Sequence, residues 1–302
     1  MTAMQGKPLA QHRPQKTGHE MRTLVFGARG QLGRDLVEVM GRDGPVTGRD
    51  LPELDIADET AVERAVADFA PELVINAAAY TDVEGAETRR EEAFRVNATG
   101  AGVVAAAAAR RDLPVVYYST DFVFSGDKKT PYEPDDPPRP LGAYAESKRA
   151  GELATRDANP RCFILRTAWL YGPGKNNFVE KILRAAETRP ELRVVEDEIG
   201  SPTYTLDLAE ATRALCRRDA FGFYHAVNAG ACSRYEFAKT IVQLAGLSVP
   251  VYPCKAEEMK SAARRPAYSV LSNDRLETAT GHRMRAWRTA LEAYMKRRIE
   301  SK

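Results

Sequence analysis

The chain has 302 residues, 43% hydrophobic and 28% charged, a composition typical of a globular protein that buries a sizeable core. Its 44 basic and 42 acidic side chains nearly cancel, so the charge balance favours neither a nucleic-acid partner nor a membrane surface. The four cysteines form no C-x-x-C pair, and no hydrophobic run approaches the ~20 residues of a membrane span. We therefore expect a cytoplasmic protein with reduced thiols.

The first 20 residues are polar and carry no hydrophobic signal segment, so we interpret 1–20 as a disordered leader and expect the fold to begin at Met21. From there, short hydrophobic runs alternate with helical patterns. The predicted strands cover 22–26, 73–77, 113–119 and 162–167, and the predicted helices cover 31–40, 96–110 and 143–154. This alternation predicts an α/β fold over residues 21–170, a Rossmann-type doubly wound parallel sheet covered on both faces.

The pattern changes after residue 170. Helices predicted at 177–187, 206–216 and 234–244 accompany a strand at 223–227. We expect residues 171–302 to form mainly a smaller mixed α/β substrate-binding lobe, with some segments returning to the Rossmann domain. The proline-rich stretch 131–140 predicts a loop just before Tyr144, and such loops often border a ligand.

A glycine-rich loop joins the first predicted strand to the first predicted helix, with the spacing G-x-x-G-x-x-G. Glycine allows a tight turn and lets the backbone approach a diphosphate, and the following helix N-terminus offers unpaired N–H donors. We therefore predict a dinucleotide site at this loop. The loop residues placed at the cofactor are Gly27, Arg29, Gly30, Gln31, Leu32 and Gly33.

Charged residues near this loop bear on the choice of nicotinamide cofactor. Arg29 lies in the loop and Arg49 follows the probable second strand, and two guanidinium groups suit the 2′-phosphate of NADPH. Asp50 could instead hold a free 2′-hydroxyl, and either arginine could be a solvated surface charge. We predict NADPH, with NADH also accepted. Asp55 is placed near the adenine, with a helix cap or turn residue as the alternative.

Tyr144 and Lys148 stand four residues apart, a spacing that puts both side chains on one face of a helix, although such a pair alone is usually a surface pair. A neighbouring ammonium lowers the pKa of a tyrosine from about 10, so we expect Tyr144 to act as the acid near neutral pH. Lys148 can also hold the nicotinamide ribose. Thr120 lies at a strand end and could orient a substrate carbonyl or cap local backbone, while Asp121 could simply fix the loop.

Together these residues resemble the extended short-chain dehydrogenase/reductases and, within them, the dTDP-4-dehydrorhamnose reductase family. The segments that carry the resemblance are FGARGQLG (26–33), NAAAYTDV (76–83), YSTDFVFSG (118–126), YAESK (144–148), RTAWLYGPGKNNF (166–178), DEIGSPTYTLDLA (197–209) and ARRPAYSVL (263–271). The resemblance implies NADPH-dependent reduction of the C4 keto group of dTDP-4-dehydro-L-rhamnose to dTDP-L-rhamnose, the last step of dTDP-rhamnose synthesis.

The resemblance also implies site residues. Thr120, Tyr144 and Lys148 match the catalytic triad, and Ala77 and Ala78 match the strand end beside the cofactor. The residues implied to contact the substrate are Thr120, Asp121, Phe122, Trp169, Asn176, Asn177 and Arg265. From the residues alone, the tryptophan could be core, the asparagines helix caps or turn residues, and the arginine a surface charge.

Some family members form a dimer that magnesium links through glutamates, and Leu206 stands where one of those glutamates would be. We therefore expect no metal. We also expect a monomer or homodimer that binds a small nucleotide sugar. Two alternatives stay open. One is another nucleotide-sugar 4-ketoreductase, dehydratase or epimerase of the same superfamily, although Phe122 after Asp121 disfavours a dehydratase. The other is a non-catalytic NADP-binding regulatory subunit.

Overall fold

The computed structural model describes residues 20–174, 177–259 and 261–300, and most of the segment interpreted as a leader, 1–19, lies outside that range. In chain order the strands are β1 (Thr23–Phe26), β2 (Val46–Arg49), β3 (Leu73–Asn76), β4 (Val115–Thr120), β5 (Cys162–Thr167), β6 (Leu170–Tyr171), β7 (Leu192–Val195), β8 (Ile199–Gly200), β9 (Thr203–Tyr204), β10 (Gly222–His225), β11 (Cys232–Ser233) and β12 (Val251–Cys254). The α-helices are α1 (Gln31–Met40), α2 (Glu59–Phe69), α3 (Val83–Thr88), α4 (Arg90–Phe94), α5 (Ala101–Ala109), α6 (Ala143–Ala158), α7 (Phe178–Thr188), α8 (Thr205–Cys216), α9 (Arg234–Leu244), α10 (Asp274–Thr280) and α11 (Trp287–Glu300).

The larger domain is built on a parallel sheet with the strand order β10-β5-β4-β3-β1-β2. Its central strands are almost continuously hydrophobic because helices cover both faces, and alternate residues point to opposite sides. Val25 packs with α1, α8 and α10 on one face, whereas Leu24 and Phe26 pack with α2 and α5 on the other. The predicted Rossmann-type doubly wound sheet is confirmed.

The smaller lobe has its own hydrophobic core, formed by α7, α9 and α11. Three short strand pairs border this core: β12 with β7 and β6 with β9 run parallel, and β11 with β8 runs antiparallel. Part of the same chain segment lies in the larger domain, because β10 pairs with β5 at the sheet edge and α8 packs against α1. The last helix also bonds the first, since Arg297 donates to Asp35 at 2.8 Å.

The predicted strands and helices lie where the structure has them, with ends shifted by a few residues. The helix predicted over 96–110 differs, because a π-helical segment, Arg95–Gly100, precedes α5. In this wider turn the Asn97 carbonyl accepts a hydrogen bond from the Tyr117 hydroxyl at 3.0 Å. A hydrophobic pattern with the α-helical period cannot show such a local change. Among the described residues, no helix is long and hydrophobic enough to cross a membrane.

Candidate active site

A cleft of about 1360 Å³ lies where β1, β3, β4 and β5 end, and side chains of the smaller lobe form its other wall. Loops after different strands meet here because parallel strands end at the same edge of a sheet. The predicted site residues that line the cleft are Gly27, Arg29, Gly30, Gln31, Leu32, Gly33, Arg49, Asp55, Ala77, Ala78, Thr120, Asp121, Phe122, Tyr144, Lys148, Trp169, Asn177 and Arg265. Asn176 lies outside the described residues.

The glycine loop has a geometry that only glycine permits. Gly27 has a φ of 77°, and a Cβ on it would lie 2.4 Å from the backbone nitrogen of Ala78. A Cβ on Gly33 would lie 2.0 Å from the Gly27 carbonyl oxygen, so α1 could not approach the loop as closely. Gly30 caps α1 without a side chain, and the first helical residue, Gln31, faces the cleft. The loop and the helix N-terminus therefore fit the diphosphate of a dinucleotide.

At the outer end of the loop, a smaller cavity of about 620 Å³ adjoins the cleft. The arginines that line it are Arg29, Arg34 and Arg49. The Asp50 carboxylate accepts the backbone N–H groups of Arg29 and Leu51, each at 2.8 Å, so both of its oxygens fix the loop. Guanidinium groups therefore dominate this end, which suits a phosphate better than a free hydroxyl. Glu53 competes for one of them, because it accepts a hydrogen bond from the Arg29 side chain.

Local hydrogen bonds fix the other predicted cofactor contacts. The Asp55 carboxylate accepts from Arg95 at 2.7 Å and from the Ala57 backbone N–H at 2.9 Å, so the turn role considered for Asp55 is present. The Ala77 N–H donates to the Phe26 carbonyl at 2.9 Å, which ties the end of β3 to β1 beside the glycine loop.

Tyr144 and Lys148 lie in the first turns of α6, and both line the cleft. Asn97 donates to the Ser147 hydroxyl at 2.9 Å, and that hydroxyl donates to the Tyr144 carbonyl at 2.8 Å. The Lys148 ammonium lies 4.3 Å from the centre of the Tyr117 ring, a cation–π contact. These contacts hold the start of α6 in one orientation toward the cleft.

The expectation that Lys148 lowers the pKa of the Tyr144 hydroxyl is wrong. Burial raises the pKa of the Tyr144 hydroxyl, the Asp121 carboxylate raises it further, and only Thr120 opposes the rise. Burial also lowers the pKa of Lys148 to about 7, against the attraction of Glu152. Tyr144 is therefore a neutral phenol at neutral pH, which is the protonation state of a proton donor.

Thr120, Asp121 and Phe122 form a short turn beside Tyr144. The Thr120 hydroxyl donates to Asp121 at 2.9 Å and accepts the Phe122 N–H at 3.2 Å, so its local capping role is present. The second Asp121 oxygen accepts from Ser269 at 2.5 Å, and burial raises the pKa of this carboxyl to about 6 despite both hydroxyl bonds. The Phe122 ring meets the Tyr144 ring edge-on, with centroids 6.1 Å apart.

Trp169 and Asn177 reach the cleft from the chain that follows β5. Trp169 has a φ of 47°, and its indole lies so close to Gly200 that a Cβ there would be 2.5 Å from the ring. Asn177 caps α7, because its side-chain oxygen accepts the Glu180 N–H at 3.1 Å and its amide donates to the Gly172 carbonyl at 3.0 Å. The cap role considered for Asn177 is therefore observed, whereas Trp169 is a rigid wall of the cleft.

Arg265 is bound by Glu84, at a distance of 2.5 Å. The Glu84 carboxylate also accepts the Ser261 hydroxyl and the backbone N–H groups of Ala262 and Ala263. Burial alone would raise the pKa of Glu84, but these hydrogen bonds hold it at about 2. The carboxylate thus ties α3 of the larger domain to the chain that follows β12, across the mouth of the cleft.

Glu84 and Arg234 are among the residues of the cleft that the sequence patterns do not reveal. Glu84 directly follows the quoted segment NAAAYTDV, and Arg234 follows β11 with no motif around it. Contacts between residues far apart in the chain bring both side chains into the cleft, and 181 positions separate Glu84 from Arg265. No spacing rule within one helix or strand could pair such residues.

The parallel sheet, the glycine loop after its first strand and the Tyr–Lys pair on α6 define the class of protein: a Rossmann-type fold with the site layout of the short-chain dehydrogenase/reductases. A family of known proteins shares this layout over nearly the whole chain. The family model for the RmlD substrate binding domain matches residues 21–299. The chain belongs to this family, and its predicted kinship with the dTDP-4-dehydrorhamnose reductases is confirmed.

Individual relatives match almost end to end. Spore coat polysaccharide biosynthesis protein SpsK of Bacillus subtilis is 42% identical over 278 residues, which cover 92% of this chain and 98% of that protein. The dTDP-4-dehydrorhamnose reductase of Sinorhizobium fredii is 38% identical over 278 residues, covering 88% and 94%. A solved structure of dTDP-4-dehydrorhamnose reductase from Bacillus anthracis, in complex with NADP, has a TM-score of 0.90 and 38% identity and covers 92% of this chain and 100% of that one.

Proposed function

We propose that this protein is an NADPH-dependent oxidoreductase that reduces the C4 keto group of dTDP-4-dehydro-L-rhamnose to give dTDP-L-rhamnose. One observation carries the proposal: the glycine loop, Tyr144, Lys148 and Thr120 line the same cleft. A reductase needs a diphosphate cradle for its cofactor and a proton donor within one cavity, and this cleft has both.

The cofactor assignment rests on the loop and on the arginines beside it. Gly27 and Gly33 leave room for a diphosphate, and Arg29 and Arg49 line the cavity where a 2′-phosphate would lie. The reductase from Bacillus anthracis, solved in complex with NADP, supports the same choice for this chain. Because Glu53 engages Arg29, the preference for NADPH is moderated, and NADH is also accepted.

The residues of the chain account for the proton transfer. Bound NADPH supplies the hydride for C4 of the sugar. Tyr144, kept as the neutral phenol by burial, donates its proton to the C4 oxygen, and the resulting phenolate recovers a proton from water. The Lys148 side chain binds the nicotinamide ribose, while the Thr120 hydroxyl turns its proton from Asp121 to the carbonyl and orients it. The keto group thus gains one hydride and one proton and becomes an alcohol.

The test is the Tyr144→Phe variant, which removes the hydroxyl and keeps the ring. We expect turnover of dTDP-4-dehydrorhamnose, followed by NADPH absorbance, to fall by at least about 100-fold while the dissociation constant for NADPH stays within a few-fold of the wild-type value. Tyr252→Phe is the matched control, because Tyr252 is exposed and lies outside the cleft.

Wild-type turnover in the Tyr144→Phe variant would remove this hydroxyl from the mechanism. A wild-type protein that binds NADPH yet reduces none of a panel of dTDP-, UDP- and GDP-linked 4-keto sugars would contradict the reductase itself and favour the binding-subunit alternative. Turnover of another member of the panel in preference to dTDP-4-dehydrorhamnose would shift the assignment to a related 4-ketoreductase.

A further inference from the structure

Arg234 is a largely buried cation in the wall of the cleft. It is the first residue of α9, and its guanidinium lies 3.5 Å from the centre of the Trp169 ring, which it covers. The side chain is 16% exposed, and the exposed part faces the cleft that holds Tyr144 and Lys148. A guanidinium in such a position has lost most of its hydration, so its N–H groups need other partners.

Among the described residues, few hydrogen-bond acceptors lie close to the Arg234 guanidinium. Within the part of the chain that the structure describes, the carboxylate found within 4 Å of the guanidinium is Glu198, and its oxygen is 3.6 Å from Nε, longer than a hydrogen bond. Burial lowers the pKa of Arg234 to about 10, against the attraction of Glu198 and Asp121, so the group remains a cation at neutral pH. Arg234 therefore keeps donors that can serve a ligand in the cleft.

Arg265 is the other arginine that the sequence places at the substrate, and its surroundings differ. Its guanidinium donates to Glu84, to the Ser261 hydroxyl and to the Ala263 carbonyl. Most of its hydrogen-bonding capacity is therefore used within the protein. Of these two arginines in the wall of the cleft, Arg234 has fewer hydrogen-bond acceptors within the protein.

The position of Arg234 is rigidly defined. The Trp169 ring packs against the backbone of Gly200, and the Arg234 guanidinium also lies against this ring. The antiparallel pairing of β11 with β8 places Arg234 directly beside this indole, and the Arg234 N–H donates to the Glu198 carbonyl at 3.2 Å. A planar guanidinium held in this way presents its fork in one direction, which favours bidentate binding of phosphate oxygens.

We propose that Arg234 binds the diphosphate of the nucleotide-sugar substrate. The inference rests on the proposed function, because it takes the second ligand of the cleft to be a nucleotide sugar. The two diphosphates then lie at different walls: the cofactor's at the glycine loop of the larger domain, and the substrate's at Arg234 of the smaller lobe. Arg234 thus balances the charge of the substrate's diphosphate, as the glycine loop does for the cofactor's diphosphate on the opposite wall.

The test uses the intact protein saturated with NADPH, so that the glycine loop is already filled. We expect Arg234→Gln to weaken dTDP binding by about 10- to 100-fold, since the loss corresponds to one or two charge-assisted hydrogen bonds. Thymidine carries no phosphate, so its binding, followed by ligand-observed NMR, is expected to stay unchanged. Arg288→Gln is the matched control, because it removes the same charge from an arginine outside the cleft that pairs with Glu236.

An unchanged dissociation constant for dTDP in Arg234→Gln would overturn the proposal, and so would an equal loss of thymidine binding, which would indicate a merely structural role. If the glutamine variant fails to bind NADPH, Arg234→Lys decides. Lysine keeps the charge but lacks the two parallel donors of the guanidinium. If the guanidinium binds the diphosphate, the dissociation constant for dTDP rises several-fold, and an unchanged constant again overturns the proposal. Wild-type turnover of the keto sugar is measured separately, so failure of the proposed reaction is distinguished from failure of this binding site.

Discussion

Lys148 lies where its surroundings disfavour its charge. Its side chain is buried, and burial lowers its pKa from the usual 10.5 to about 7 although Glu152 attracts the ammonium. Between these two values the unfolded chain binds a proton that the folded protein does not. The contribution of Lys148 to stability therefore rises with pH across this interval, and the full penalty for burying the ammonium applies below about pH 7.

We predict that Lys148→Met stabilises the protein at about pH 6 and that this advantage shrinks as the pH approaches 10. Methionine fills the same space without a charge to desolvate. Urea unfolding of both proteins at about pH 6, 8 and 9.5 measures the difference in free energy. A difference independent of pH would show that the ammonium is not destabilised by burial. Activity is expected to be lost in the variant, because the ribose contact is removed.

At this scale, the glycine loop and the Thr120, Tyr144 and Lys148 set of the cleft could be predicted from the sequence. The glycine loop directly follows β1 and Thr120 ends β4, and a parallel sheet brings those strand ends together. The pKa of Tyr144 could not be predicted, because it depends on how deeply packing buries the hydroxyl and on how close Asp121 lies. The place of Arg234 in the cleft could not be predicted for a similar reason, because its contact with Trp169 arises only when β8 and β11 pair.

The side chain of Asn177 caps the N-terminus of helix α7. The side chain accepts a backbone N–H of the first turn and also donates to the preceding loop, so it joins the helix to the glycine-containing turn before it. We predict that Asn177→Ala lowers the free energy of unfolding by about 1–2 kcal/mol, measured by urea denaturation.

Ser233 gives the matched comparison for this cap. It caps α9 with one hydrogen bond, to the Glu236 N–H at 3.0 Å, and lacks the donated bonds that Asn177 makes. Ser233→Ala is therefore expected to cost less, about 1 kcal/mol. If the two alanine variants are equally stable, the amide donors of Asn177 contribute nothing to the fold.

The elements themselves were predictable where they are long and periodic. Strands β4 and β5 stand out as short, almost continuous hydrophobic runs, and helices α1 and α9 stand out because their hydrophobic residues recur with the helical period. The strands of two residues, β6, β8, β9 and β11, have too few positions for any period to show. The π-helical segment Arg95–Gly100 escaped for another reason, because it is stabilised by side-chain contacts of Asn97 with distant parts of the chain.

Across the whole molecule, Glu84 is the carboxylate that connects the larger domain to the loop after β12. We predict that Glu84→Ala speeds the amide exchange of Ala262 and Ala263 by at least about tenfold, since both N–H groups lose a charged acceptor. Hydrogen exchange of the peptide covering 261–267, followed by mass spectrometry, measures the change.

Glu59→Ala serves as the control for that experiment, because Glu59 pairs with Arg110 away from the cleft. Unchanged exchange in Glu84→Ala would mean that the loop is fixed by other contacts. The pKa of Glu84, about 2, also sets the sign of the acid dependence: the stabilisation is fully present above the usual pKa of 4.5 and is lost progressively as the pH falls from 4.5 to about 2.

The return of β10 to the sheet and the bond between α11 and α1 have a consequence for synthesis on the ribosome. Until residues 222–225 have emerged, the outer edge of β5 has no neighbour, and until Arg297 follows, the buried Asp35 carboxylate lacks its cation. A nascent polypeptide that has released only its first 170 residues therefore carries an open strand edge that other chains can pair with. Completion of the parallel sheet must wait until residues 222–225 have been translated.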